Sequence, residues 1–166
     1  MLMHSKNILH RDIKSQNMFL VKGDIVKLGD FGISKALGTQ GNFAKTYCGT
    51  PYFMSPEVCR GEAYGQKSDI WALGCALYEL AALKKPFDHT NIPGLIKMIC
   101  ENDFDPLPDY LDTRIKVLIY SMLQKDPSKR PSIWEIAQVD YIKERIEKFV
   151  TEHNCRESVE GIIDFK

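Results

Sequence analysis

The sequence lacks the features that mark secreted, membrane-spanning or nucleic-acid-coating proteins. Its 22 Lys and Arg residues balance 22 Asp and Glu, so the formal net charge is zero. No broad basic field is therefore available to bind nucleic acid or an anionic membrane surface. The longest apolar-rich stretch, residues 70–83, contains Glu79 and is shorter than the roughly 20 residues of a transmembrane helix. The first six residues, MLMHSK, contain no apolar segment typical of a signal peptide.

The cysteines do not form a pattern that predicts disulfides or a zinc cluster. Their number is odd, they are widely spaced, and no C-x-x-C occurs among Cys48, Cys59, Cys75, Cys100 and Cys155. Such spacing favours reduced thiols and an intracellular protein. We therefore expect a cytoplasmic chain, with the cytoskeleton and the nucleus as further locations left open.

The composition is that of one folded domain with a predominantly helical second half. Of the 166 residues, 44% are hydrophobic, too many for a disordered tail. Residues 70–83 are apolar nearly all round, which predicts a buried helix at the core. Ser132 and Glu135 match a capping box that opens another helix. Further helices are expected at 93–100, 113–124 and 141–150.

The first half of the chain has shorter elements. Residues 18–21 and 25–28 flank a Lys-Gly-Asp turn and predict a β-hairpin. Residues 33–56 are rich in glycine and proline and have no period, so they predict a long loop. A loop of that length inside a compact domain is usually functional or disordered.

Two short motifs on either side of the predicted hairpin carry reactive side chains. The first is His-Arg-Asp-Ile-Lys-Ser-Gln-Asn at 10–17, and the second is Asp-Phe-Gly at 30–32. Their order matches H-R-D-x-x-x-x-N followed by D-F-G. The alternative is a polar turn followed by a tight bend, which the later motifs make less probable than a phosphoryl-transfer site.

Phosphoryl transfer explains the residue types in these motifs. The protein must position the reactants and neutralise charge. Asp12 supplies a carboxylate for the proton of a substrate hydroxyl, and Lys14 places a positive charge beside the moving phosphoryl group. Asn17 and Asp30 supply the hard oxygen ligands that magnesium prefers.

Later motifs agree with this interpretation. They are Gly-Thr-Pro-Tyr at 49–52, Ser-Pro-Glu at 55–57, Ser-Asp-Ile-Trp-Ala-Leu-Gly at 68–74 and Lys-Arg-Pro-Ser at 129–132. With them, residues 1–150 resemble the C-terminal lobe of a eukaryotic protein kinase, most like the NIMA-related serine/threonine kinases. The resemblance implies a mainly α fold with a short β-hairpin, followed by a C-terminal extension at 151–166.

The resemblance also implies roles for individual residues. Asp12 would be the catalytic base and Lys14 the phosphate-facing lysine, while Asn17 and Asp30 would hold Mg²⁺. Phe19 would lie under the adenine ring of ATP. Residues 49–57 would dock the protein substrate, through Gly49, Thr50 and Pro51. Structural roles would fall to His10, Phe31, Gly32, Glu57, Asp69 and Arg130, with Glu57 paired to Arg130 and Asp69 bonded to the backbone at residues 10 and 11.

A regulatory role is implied for Thr46. Related kinases carry an activating threonine in this loop, and a phosphate there would add about −1.5 to −2 charges and pair with Arg11. The alternative is an ordinary solvated threonine. Thr39, Ser34 and Tyr47 are weaker candidates.

The resemblance extends only to the C-terminal lobe. The glycine-rich loop, the strand lysine and the helix glutamate of a kinase belong upstream of the H-R-D motif, where this sequence has nine residues. We therefore expect a C-lobe that lacks the N-terminal lobe and is inactive alone, with a partner covering the uncovered surface. A fragment, a truncated gene model and a short paralogue all remain open. The alternative function is a non-catalytic, pseudokinase-like binding module.

Overall fold

A computed structural model of the chain describes residues 2–23, 25–30, 35–36 and 51–154. Most of these residues are helical. The α-helices are α1 (Leu2–Ser5), α2 (Pro56–Cys59), α3 (Gln66–Ala82), α4 (Ile92–Glu101), α5 (Thr113–Met122), α6 (Ile133–Ala137) and α7 (Asp140–His153). Within this part of the chain, no helix is long and apolar enough to cross a membrane. The mainly helical content agrees with the expected fold class.

The described strands form two short antiparallel pairs. β2 (Met18–Val21) and β3 (Ile25–Leu28) form the predicted hairpin. β1 (Ile8–Leu9) pairs with β4 (Lys35–Ala36), and this second pair corrects the expectation of a single hairpin. β4 lies inside the segment 33–56 that predicts only a loop, because two residues are too few to show an alternating pattern. Helix α2 begins at the last residue of the same segment.

The core is built around α3, as the apolar pattern of the sequence predicts. Trp71, Cys75 and Tyr78 have no exposed surface and pack against Phe87 and side chains of α4 and α5. The rings of Trp71 and Phe87 stack with their centroids 5.7 Å apart. These contacts make α3 the rigid element from which the loops near the candidate site are held.

The C-terminal end of α3 departs from the prediction of a buried helix over residues 70–83. Leu80 lies in this apolar stretch, yet 59% of its surface is exposed. The helix ends at Ala82, and the capping residue Leu83 adopts a left-handed conformation with φ of 55° and is 87% exposed. The last turn therefore extends past the core, which corrects the expectation that Leu80 is buried.

Hydrogen-bonded caps set the starts of two helices. The predicted capping box is confirmed, since Ser132 N–H donates to Glu135 Oε2 at 2.7 Å and Glu135 N–H donates to Ser132 Oγ at 3.2 Å. Helix α3 begins at Gln66, four residues before the apolar stretch at 70–83 that predicts it. The reason is a cap at Gly65, whose N–H donates to the Ser68 hydroxyl at 3.2 Å.

Candidate active site

The loop between β1 and β2 is held in an unusual backbone conformation. Arg11 has φ of 69°, which costs a residue other than glycine on the order of 1–3 kcal/mol. The carboxylate of Asp69 on α3 accepts the N–H of His10 and the N–H of Arg11, each at 3.0 Å. The contact that the resemblance predicts for Asp69 is therefore present, and it fixes the loop just before Asp12.

Asp69 is the centre of a buried hydrogen-bond network. It is 1% exposed, and it also accepts the Tyr64 hydroxyl at 2.7 Å and lies 2.8 Å from His4 Nε2. Burial alone would raise the pKa of Asp69, but the hydrogen bonds from His4, His10, Tyr64 and Arg11 lower it. The carboxylate is therefore held in its charged form. No local sequence pattern indicates a role for His4, which lies 65 positions from Asp69.

Asp12, Lys14 and Asn17 are brought together by direct hydrogen bonds. Lys14 Nζ donates to both carboxylate oxygens of Asp12, at 2.9 and 2.7 Å. Asn17 Nδ2 donates to Asp12 Oδ2 and to the Asp12 carbonyl, both at 2.8 Å. The Asp12 N–H also donates to His10 Nδ1 at 3.3 Å. The Asp12 side chain remains 21% exposed, so its carboxylate is oriented by neighbours yet reachable from solvent.

Asn17 and Asp30 supply donors of the kind that magnesium binds. The Gly29 N–H donates to the Asn17 carbonyl at 2.9 Å, so the exposed Asp30 follows a residue that is anchored to Asn17. Both amide hydrogens of Asn17 are used by Asp12, which leaves Oδ1 as the atom of that side chain for a cation. A carboxylate and an amide oxygen fit Mg²⁺, which usually takes few protein ligands and completes its shell with phosphates and water.

The described residues contain no larger metal cluster. No group of three or more His, Cys, Asp and Glu side chains among them could hold a metal ion.

Phe19 covers the backbone next to Asp30. Its ring lies over Gly29, where an added Cβ would be 2.7 Å from Phe19 Cε2. The ring is 52% exposed and presents an apolar surface beside the residue that precedes Asp30. A side chain at position 29 would push this ring aside, so glycine lets the ring lie close to the backbone here.

Glu57 and Arg130 form the expected buried ion pair. Arg130 donates from Nη1 to Glu57 Oε1 at 2.8 Å and from Nη2 to Oε2 at 2.7 Å. The Ser68 hydroxyl donates to Glu57 Oε1 at 2.8 Å. Arg130 also donates to the carbonyls of Gln124, Lys67 and Lys125. Burial would raise the pKa of Glu57, but the Arg130 and Ser68 hydrogen bonds lower it to about 2.

A contact that the sequence did not indicate joins the same loop to α3. The Ser15 hydroxyl donates to Glu79 Oε2 at 2.6 Å across 64 positions of the chain. Asp69 and Glu79 thus hold the loop from two points on one helix. No local pattern in the sequence predicts such a pairing, because it depends on how α3 packs against the loop.

Several predicted site residues lie outside the described part of the chain. They are Phe31, Gly32, Thr46, Gly49 and Thr50. Pro51 is described and half-buried, and its carbonyl accepts the Met54 N–H at 3.2 Å.

Comparisons with known proteins agree on one family. The family described as protein kinase domain matches residues 1–142. The chain is 45% identical over 148 residues to the serine/threonine-protein kinase Nek1 of Mus musculus, covering 89% of this chain and 12% of that protein. It is 53% identical over 134 residues to the serine/threonine-protein kinase Nek8 of Danio rerio, covering 80% and 19%.

A further relative extends the match along nearly the whole chain. The serine/threonine-protein kinase Nek4 of Mus musculus is 41% identical over 160 residues, 96% of this chain and 20% of that protein. The chain thus spans about an eighth to a fifth of the length of these three relatives. From the family match and these identities, the chain belongs to the protein kinase family and, within it, to the NIMA-related (Nek) serine/threonine kinases.

Proposed function

We propose that this chain is the catalytic-loop-bearing part of a serine/threonine protein kinase, which transfers the γ-phosphate of ATP to protein Ser or Thr hydroxyls. The observation that carries the proposal is the cluster in which Lys14 and Asn17 both donate to the Asp12 carboxylate. The hydrogen bond from the Gly29 N–H to the Asn17 carbonyl holds the backbone just before Asp30 against this cluster.

In the proposed reaction, Asp12 accepts the proton of the substrate hydroxyl. Asn17 holds the Asp12 carboxylate from one side through its 2.8 Å hydrogen bond. The Lys14 ammonium donates to both oxygens of the Asp12 carboxylate. In the reaction it would exchange one of these hydrogen bonds for one to the phosphoryl group. Asn17 Oδ1 and Asp30 would hold Mg²⁺, with Phe19 against the adenine. When bound, ATP supplies the phosphoryl group and magnesium neutralises its negative charge.

Specificity for Ser and Thr is supported by Lys14 and by the sequence at residues 49–51. Tyrosine kinases carry a different pattern at the position of Lys14, and the Gly49-Thr50-Pro51 sequence is also typical of Ser/Thr kinases. The relatives named above are all called serine/threonine-protein kinases. We therefore propose that Gly49, Thr50 and Pro51 dock a protein substrate rather than a small molecule.

We propose that the 166-residue chain transfers phosphate poorly by itself. Its sequence contains no G-x-G-x-x-G, the loop that covers ATP phosphates in protein kinases. Positioning supplies much of the rate enhancement in such reactions, so ATP held by Asn17, Asp30 and Phe19 alone would react slowly. The alternative proposal is a binding module that uses the same surface without catalysis.

An apolar surface on the hairpin supports a covering partner. Leu20 and Val26 lie opposite each other in the β2–β3 register and are 71% and 61% exposed. Leu2 of α1 is also 56% exposed. We propose that a kinase N-terminal lobe, carried by the same polypeptide or another, covers these side chains together with the ATP.

We also propose that phosphorylation of Thr46 switches the kinase through Arg11. The Arg11 backbone is fixed by Asp69, and its guanidinium lies 5.9 Å from the centroid of the Tyr64 ring. A phosphate bonded to this side chain would tie the loop that contains Thr46 to the residue before Asp12. Charge-assisted hydrogen bonds of this kind are stronger than neutral ones.

The test joins the N-terminal lobe of mouse Nek1 to this chain and compares the chimera with the chain alone. With magnesium-ATP and a generic protein substrate, we expect the chimera to form phosphoserine and phosphothreonine, and the chain alone to stay at background. Phosphotyrosine as the main product would contradict the proposed specificity. A folded chimera that binds ATP and transfers no phosphate would favour the binding module.

The regulatory part is tested in the same chimera. Thr46→Ala should lower its activity strongly, and Arg11→Ala should remove most of the gain from phosphorylation, whereas Tyr47→Phe should change little. Full activity of Thr46→Ala after phosphatase treatment and reactivation would contradict the assignment of the switch to Thr46.

A further inference from the structure

Two thiols far apart in sequence lie beside each other at the contact between α2 and α4. Cys59 is the last residue of α2, and Cys100 lies in the last turn of α4. Cys100 Sγ is 3.8 Å from the Pro56 carbonyl, and the Arg60 guanidinium donates to the Cys100 carbonyl at 3.5 Å. Contacts from both ends of α2 therefore hold Cys100 alongside Cys59.

The electrostatics of Cys59 agree with this placement. Burial raises the pKa of the Cys59 thiol to about 12, and the neighbouring Cys100 thiol contributes to the rise through charge repulsion and hydrogen bonding. Both side chains are half-buried rather than sealed, so a small oxidant can reach them. Because the raised pKa keeps the Cys59 thiol protonated near neutral pH, we expect its oxidation to be slow and to speed up as the pH rises. Cys75 differs, because it has no exposed surface in the core.

We propose that Cys59 and Cys100 form a reversible disulfide that links α2 to α4. The two thiols lose two protons and two electrons to hydrogen peroxide, which is reduced to two molecules of water as the S–S bond forms. A thiol reductant reverses the step by exchange. Reversible disulfides are the kind expected in a reducing compartment, where permanent ones are rare.

The proposed disulfide would restrain the neighbouring docking segment and stabilise the fold. Helix α2 directly follows residues 51–55 and carries Glu57, so a covalent link to α4 would restrain the end of the proposed docking segment. The link closes a loop across 41 residues of chain, which should raise the midpoint of thermal unfolding by about 5–10 °C. This inference does not depend on the proposed catalysis, since its readouts are covalent structure and stability.

The test treats the reduced full chain with hydrogen peroxide, blocks remaining thiols and digests it with trypsin without reduction. We expect peptide 46–60 linked to peptide 98–114, two hydrogens lighter than the sum of the two. Because Cys48 shares a peptide with Cys59, the matched variants are Cys48→Ser, which should keep the link, and Cys59→Ser and Cys100→Ser, which should lose it. Dithiothreitol should reverse the link.

Stability and exchange provide a second readout. Oxidation should raise the unfolding midpoint of the starting chain and of Cys48→Ser, but not of Cys59→Ser or Cys100→Ser. Amide exchange in α2 should slow at least tenfold. A link from Cys100 to Cys48, links only between chains, or peroxide-oxidised thiols without any S–S bond would overturn the proposal. Circular dichroism of the reduced variants identifies any that fail to fold.

Discussion

The Asp12 cluster and the Glu57–Arg130 pair are two acidic centres built in opposite ways. The partners of Asp12 lie within five positions along the chain, and its side chain is partly exposed. Glu57 pairs with a residue 73 positions away, and the side chains of both are at most 5% exposed. Local, accessible hydrogen bonds can be exchanged when a ligand enters, whereas a buried long-range pair fixes the lobe.

Asp69 connects the two kinds of centre. It is as buried as the Glu57–Arg130 pair, yet the backbone groups that it binds belong to the loop that carries Asp12. The comparison therefore predicts that substitutions at the buried centres reduce stability, while substitution of Asp12 removes the proposed chemistry and leaves the fold.

The largest effect is expected from Arg130→Met. The substitution leaves the Glu57 carboxylate buried without its partner, which should lower the free energy of unfolding by about 3–5 kcal/mol. Urea denaturation measures this loss. The matched control is Arg114→Met, because Arg114 pairs with Asp112 at the surface and its loss should leave the midpoint nearly unchanged. Equal shifts for the two variants would contradict the distinction between buried and exposed pairs.

Acid should destabilise the chain through the same pair. The pKa of Glu57 is about 2 in the folded chain, below its usual value of 4.5. The ionised Glu57 carboxylate contributes fully to the free energy of unfolding above pH 4.5. This contribution, about 3 kcal/mol in total, is lost as the pH falls towards 2. Denaturation at a series of pH values checks the slope. Glu57→Gln should flatten it in this interval, and an unchanged slope would assign the acid sensitivity to other groups.

Asp69→Asn should have the next largest effect. An amide cannot accept the four contacts of the carboxylate with equal strength, so we expect a loss of about 2–3 kcal/mol. Amide exchange at His10 and Arg11 should rise with it. Tyr64→Phe removes one hydrogen bond of the same network and should cost about 1 kcal/mol. Faster amide exchange confined to the helices would show that Asp69 does not hold the loop between β1 and β2.

A smaller effect is expected from Ser15→Ala. The substitution removes the 2.6 Å hydrogen bond to Glu79 and should cost about 1 kcal/mol. Ser121→Ala is the control, because the Ser121 hydroxyl donates to the Leu118 carbonyl within its own helix. We expect amide exchange near Asn17 to increase in Ser15→Ala and not in Ser121→Ala.

The sequence predicts well those helices and strands that have a regular apolar pattern. It predicts less well where they begin and end and which distant residues they contact. The helix around Trp71 and the cap at Ser132 follow from local patterns. The start of α3 at Gln66 did not, since it depends on the Gly65–Ser68 hydrogen bond. The two-residue strand at Lys35–Ala36 has no period of its own and exists through pairing with β1.

The candidate site shows the same division. Asp12, Lys14 and Asn17 are close in sequence, so their motif could predict that they meet. The ion pair of Glu57 and the loop contact of Asp69 were predicted only through the resemblance to kinases. His4, Ser15 and Glu79 were missed, because a hydroxyl or imidazole that bonds across more than 60 positions leaves no local pattern.

The most direct test of the central claim is Asp12→Asn in the chimera with the Nek1 N-terminal lobe. Single-turnover phosphoryl transfer and urea denaturation are measured on the same preparations. We predict a loss of at least about 10²–10⁴-fold in rate, the usual contribution of a general base, with the free energy of unfolding changed by less than about 1 kcal/mol. Transfer within tenfold of the starting chimera, or a loss of activity matched by unfolding, would contradict the assignment of Asp12 as the catalytic base.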